Sequence, residues 1–85
     1  MGILSKIDRH VGLVNRMADT VGADVGGALA SGRLHGHEFR GAVLRCTGCD
    51  HVSECVEWLG AHAADGAAAA PDYCRNAGLM ARLKH

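Results

Sequence analysis

The sequence predicts an all-α fold, a small irregular bundle of four or five short helices with a four-cysteine site at one end. Two observations carry this. Apolar residues recur at three- and four-residue steps in several separate stretches, and no stretch of any length alternates apolar with polar as a half-buried strand does. Gly, Asp and Asn fall between those stretches, where helices stop and start. The 85 residues form one domain, 1–85.

The first helix is read over Ile3 to Val21, with Ile3, Ile7, Val11, Val14, Ala18 and Val21 on one face. Ser5 and Asp8 resemble a capping box, so the regular helix is expected to begin a few residues in, and Gly22 is its stop. His10, beside Arg9 and short of Asn15 and Arg16, reads as a solvated residue at the helix edge. Asp24 caps a second, short helix through Ala30 or Ser31, closed by Gly32, with Leu29 and Leu34 as its contacts to the core. The Gly26-Gly27 pair weakens that helix by about 1 kcal/mol per glycine relative to alanine, and without a preceding strand it is no phosphate loop.

His35-Gly36-His37-Glu38 leads into a third helix whose face carries Phe39, Ala42, Val43 and Cys46. The His-x-His pair reads as solvent-exposed residues and a cap, with weak divalent-metal binding as the alternative. Asp50 or Ser53 is the expected cap of a fourth helix with Val52, Cys55, Val56, Leu59 and Ala63 on its buried side. Trp58 borders that stripe as packing and as a shield against water. Residues 64–71, ADGAAAAP, are a low-complexity connection ending at the single proline. Asp72 or Asn76 then caps the last helix, on which Ala77, Leu79, Met80 and Leu83 face inward.

A chain this short buries only roughly 60 to 65% of its unfolded surface. Much of its 48% apolar content is alanine, and it has one Phe, one Tyr and one Trp, so a staple would help it hold together. Nine basic and nine acidic residues balance, which removes bulk charge as a route to nucleic acid. There is no apolar run of about 18 residues, and Lys6, Asp8, Arg9 and Arg16 interrupt the place where a signal peptide needs apolar residues. Lys6 also breaks the myristoylation pattern. The expectation is a cytoplasmic protein without membrane attachment, in a reducing compartment that favours thiolate ligation over disulfides.

The cysteines are spaced C-x2-C-x5-C-x18-C, at Cys46, Cys49, Cys55 and Cys74. The close pair can grip one centre from a turn while the other two reach it from neighbouring segments. Cys74, at or just before a helix N-terminus, is placed where the helix dipole and free N–H groups stabilise a thiolate. An iron-sulfur cluster, a structural zinc, two disulfides and four buried thiols all remain compatible with this spacing. A [4Fe-4S] cluster held by all four cysteines is the favoured reading and zinc the alternative, because zinc sites commonly take a second short-spaced pair. Arg45 and Arg75 adjoin Cys46 and Cys74 and offer charge compensation, while Asp50 and His51 are substitute ligands within the loop.

Two resemblances bear on this. CTGCDHVSECVEW resembles the end of the cluster loop of endonuclease III-type DNA glycosylases, with Cys46, Cys49 and Cys55 at the last three ligand positions and Glu57-Trp58 near the trailing acidic-aromatic pair. It covers about 13 of 85 residues. Phe39 stands where that pattern has its first ligand, so the fourth must be Cys74. The resemblance implies cluster chemistry and not DNA repair. The order of ALASGRL, FRGAVLRC, C-x2-C-x5-C-x2-WL and APDYCRN along the whole chain is similar to a family of small bacterial four-cysteine proteins of unknown function.

No Ser-His-Asp order, carboxylate pair or phosphate loop is present, and the chain is too small for a substrate pocket beside a metal, so it is not read as an enzyme. The functional expectation is electron transfer or redox and oxygen sensing with a protein redox partner. The alternative is a zinc- or disulfide-stapled adaptor for a protein partner, and the short apolar stripes are compatible with a homodimer.

Overall fold

The computed structural model describes the backbone of residues 3–84 and the side chains of residues 6–84. Five helices follow one another: α1 (Ile3–Val21), α2 (Val25–Ser31), α3 (Gly36–Thr47), α4 (Val52–Ala61) and α5 (Ala77–Leu83). Among the described residues there is no strand, only an isolated antiparallel bridge between Ala23 and Lys84. The fold is all-α, as the periodicity predicts.

Helix α1 is the axis of the bundle and packs mainly on α3, with a smaller contact to α4. Its buried side chains are His10, Leu13, Val14, Met17, Ala18 and Val21. Those positions follow the i, i+3, i+4, i+7 rule, so the real stripe is rotated from the expected one. Ile7 and Val11 only flank the core, and Leu13 and Met17 enter it. His10, expected in solvent, is 4% exposed because it stands one turn before Leu13 and Val14 on this stripe. The helix is regular from Ile3, so Ser5 lies inside it and does not cap it. The Ser5 side chain is outside the described residues, as is that of Ile3.

The ends of α1 and α2 and the start of α3 follow the sequence, whereas Asn76, at the N-cap position of α5, makes no side-chain cap bond there. Gly22 and Gly32 take positive φ after α1 and α2, the conformation that glycine adopts at least cost. Asp24 Oδ1 accepts from the Gly27 N–H at 2.9 Å and caps α2. Leu34 is buried, but Leu29 is 39% exposed, because the inward face of this short helix is taken by Val25 and Ala28. At α3, Glu38 Oε1 accepts from the His35 backbone N–H at 3.0 Å, and His35 and His37 are both exposed with stacked rings.

Helix α4 has His51 at its N-cap position without a side-chain cap bond, so neither Asp50 nor Ser53 caps it. It buries Leu59, while Val56 is exposed and Ala63 lies past its end. Trp58 packs against the core as expected, with its ring against His62 at 4.3 Å.

The connection after α4 is tied to the end of α1. Ala67 N–H donates to Thr20 O at 2.8 Å. Gly66, at φ +71°, brings its backbone so near that a Cβ there would lie 2.9 Å from Thr20 O. Lys84 Nζ bonds Ala68 O, and Asp24 N–H donates to Leu83 O at 3.2 Å, so the chain's last segment closes over the α1–α2 junction. No described helix is long and apolar enough to cross a membrane.

Candidate metal centre

Three stretches carry the four cysteines to one region. Cys46 lies in the last turn of α3 and Cys49 in the turn that follows, where Cys49 N–H donates to Cys46 O at 3.1 Å. Cys55 is in the first turn and a half of α4, with its N–H on His51 O. Cys74 lies in the turns before α5, its N–H on Pro71 O. All four are free thiols, half-buried.

Each of three thiols feels the charge of at least one other cysteine, which places all four in one neighbourhood. Burial first, and then the charges of Cys55, Cys49 and Cys74, push the Cys46 thiol up to about 11. Cys55 is raised by burial and by Cys74 and Cys49. Cys74 is raised by burial and, less strongly, by Cys49. Like charges in one partly desolvated site disfavour one another. The four thiols therefore form a single electrostatic group.

Cys74 departs from expectation in sign. Hydrogen bonding from the Asn76 backbone does favour its thiolate, but desolvation outweighs it and the thiol is raised. Among the described residues, no three His, Cys, Asp or Glu side chains stand as a ready shell for a single metal ion. A metal bound by these thiols would require them to shed their protons and rearrange.

The surroundings are polar and specific. His51 N–H donates to Cys49 Sγ at 3.4 Å, while the His51 ring bonds Glu54 at 2.8 Å and stacks on Tyr73 at 4.9 Å. That stack links the start of α4 to the loop carrying Cys74. Arg75 Nη1 lies 3.6 Å from where a Gly48 Cβ would stand, so its guanidinium rests on the Cys46–Cys49 turn. Arg45 Nε instead donates to Asn76 Oδ1 at 2.8 Å. The cation that lowers a thiol is Arg16 of α1, acting on Cys55.

Arg16, Tyr73 and Asn76 are neighbours of the cysteines that the sequence does not assign to them, although Asn76 carries a signal of its own as a candidate cap of the last helix. Asp50 is exposed, and His51 presents its backbone rather than its ring to Cys49.

A family model described as a family of unknown function, DUF6455, matches residues 1–85. The chain belongs to this family. The match spans every element of the DUF6455 chain, including all four cysteines. No curated protein and no solved structure matches it. The likeness of the DUF6455 cysteine loop to the glycosylase cluster loop accordingly rests on residue spacing alone.

Proposed function

We propose that the chain is a small [4Fe-4S] protein, its cluster held by Cys46, Cys49, Cys55 and Cys74, with an electron-transfer or redox and oxygen-sensing role. The observation that carries this reading is the single electrostatic group formed by four thiols from three stretches of chain. A cubane has four iron corners, and one thiolate from each of four local settings can serve them. The spacing, with two cysteines standing singly, favours the cluster over zinc.

The chemistry is that of a one-electron carrier. Held by Cys46, Cys49, Cys55 and Cys74, such a cluster would supply one-electron exchange with a protein redox partner, or sensitivity to oxygen. Four thiolates and a 2+ core leave a charge of about −2, which is costly to bury without compensation. Arg16 and Arg75 supply positive charge nearby, and the His51 N–H supplies a hydrogen bond to sulfur of the kind that tunes potential.

Purification without oxygen, followed by a visible spectrum and assays of iron, zinc and sulfide, tests the reading. The expected result is a brown protein that bleaches with dithionite and holds about four iron and four sulfide per chain. Changing any of the four cysteines to serine lowers both iron content and thermal stability. A colourless protein with one zinc, or one without metal or free thiols, overturns this reading in favour of a stapled adaptor that binds a protein partner.

A further inference from the structure

Lys6, Arg9 and His10 of α1 line a cleft of about 440 Å³ together with Thr47, Cys49 and Val52, which run from the end of α3 to the start of α4. No acidic residue lines it. Lys6 and Arg9 stand one turn apart on the same side of the helix, a spacing at which like charges repel. They also lie toward the positive end of α1, whose first turn holds no acidic residue. Among the described residues neither cation makes an ion pair, since the pairs that form join His51 to Glu54 and Arg82 to Glu38. The cleft thus gathers positive charge that no described carboxylate offsets.

The cleft between α3 and α5 is different. It too holds two cations, but Arg45 donates to Asn76 and Arg82 to Glu38, so both are spent on the fold. In the α1 cleft, Thr47 gives its hydroxyl hydrogen to Leu44 O, which leaves Lys6 and Arg9 as the side-chain donors. His10 donates from Nδ1 to Lys6 O at 2.7 Å, and its buried Nε2 has no partner among the described residues. We propose that this cleft binds a small organic dianion, its charged groups on Lys6 and Arg9 and its apolar body against Val52. Two cations suit a phosphate monoester and a dicarboxylate alike. The volume lies within the range of small-molecule sites, about 300–1,000 Å³. The site is independent of what the thiols hold.

Titration calorimetry at low salt, on the protein purified without oxygen, tests this with phenyl phosphate and with succinate as probes. The expected result is saturable binding at one site per chain. Lys6→Gln combined with Arg9→Gln weakens it by about tenfold or more, as the loss of charged hydrogen bonds does. Both side chains are exposed, so their replacement spares the core. Arg40→Gln, which removes an exposed charge of α3 outside the cleft, leaves the affinity unchanged. Thr47→Trp fills the cleft without touching a charge and abolishes binding. Saturation by phenyl phosphate alone assigns the site to phosphate monoesters, and by succinate alone to dicarboxylates. No saturable binding of either probe overturns the proposal. So does an affinity that survives the double variant or Thr47→Trp, or that falls equally in Arg40→Gln, since each marks adventitious pairing of exposed charges.

Discussion

The side-chain amide of Asn76 donates to the Ala42 carbonyl at 2.9 Å, joining the start of α5 to the middle of α3 across 34 positions of sequence. Its oxygen accepts from Arg45 at 2.8 Å, so both ends of a buried amide are satisfied. Asn76 also sits two residues after Cys74, and its backbone bonds that thiol. One residue thus fixes where the fourth cysteine meets the third helix.

Asn76→Ala leaves the Ala42 carbonyl without its side-chain donor and Arg45 without its acceptor. The expected loss is about 1–3 kcal/mol of folding stability, measured by urea denaturation. Metal retention should fall with it, because Cys74 loses its anchor. Asn76→Asp keeps the Arg45 bond but not the donor to Ala42, and should recover only part of the loss.

Gly66→Ala meets two obstacles, a positive φ and a contact of 2.9 Å between the new Cβ and Thr20 O. A drop of about 1–3 kcal/mol is expected from the strained backbone conformation. Gly12→Ala is the control: it lies in α1 with no atom within 4 Å of its Cβ position and no positive φ. It should stabilise by about 0.5–1 kcal/mol. Thermal melts of the two variants should move in opposite directions.

The raised thiols set a pH dependence for the metal-free protein. The Cys46 thiol is held at about 11 against an ordinary 9.0, so the folded chain keeps its proton where the unfolded chain has lost it. Below pH 9 both states are protonated and this stabilisation is fully present. Between pH 9 and about 11 the unfolded state binds fewer protons, so stability falls as pH rises. Cys55 and Cys74, raised in the same direction, add to the decline. Melting temperatures measured across that range should drop, and less steeply in Cys46→Ser. Metal affinity, which requires thiolates, should rise with pH.

Arg16 favours the Cys55 thiolate from across the α1–α4 contact. Arg16→Gln should move deprotonation of Cys55 to higher pH, seen in ultraviolet thiolate absorbance of the metal-free protein. In metal-loaded protein the loss of a nearby cation should lower the reduction potential. A change in helical content would mark the residue as structural instead.

The sequence by itself determined the helices, since apolar spacing and end signals act within a few residues. Gly22, Asp24 and Gly32 set the α1 and α2 boundaries through local backbone conformation and a local cap. It also placed Cys46, Cys49 and Cys55 together, because a turn and one helical step bound their separation. The tertiary structure decided what depends on helices meeting. The rotation of the α1 stripe, which buries His10 and exposes the choice of Leu13 and Met17 over Ile7 and Val11, follows from where α3 and α4 press on α1. Cys74 is held near the other three by the bond of Asn76 to α3 from 34 positions away and by the stack of Tyr73 on His51, and Arg16 reaches Cys55 where α1 packs on α4. Desolvation, the force that raises these thiols above the help of a nearby helix N-terminus, is a property of packing that no local pattern encodes.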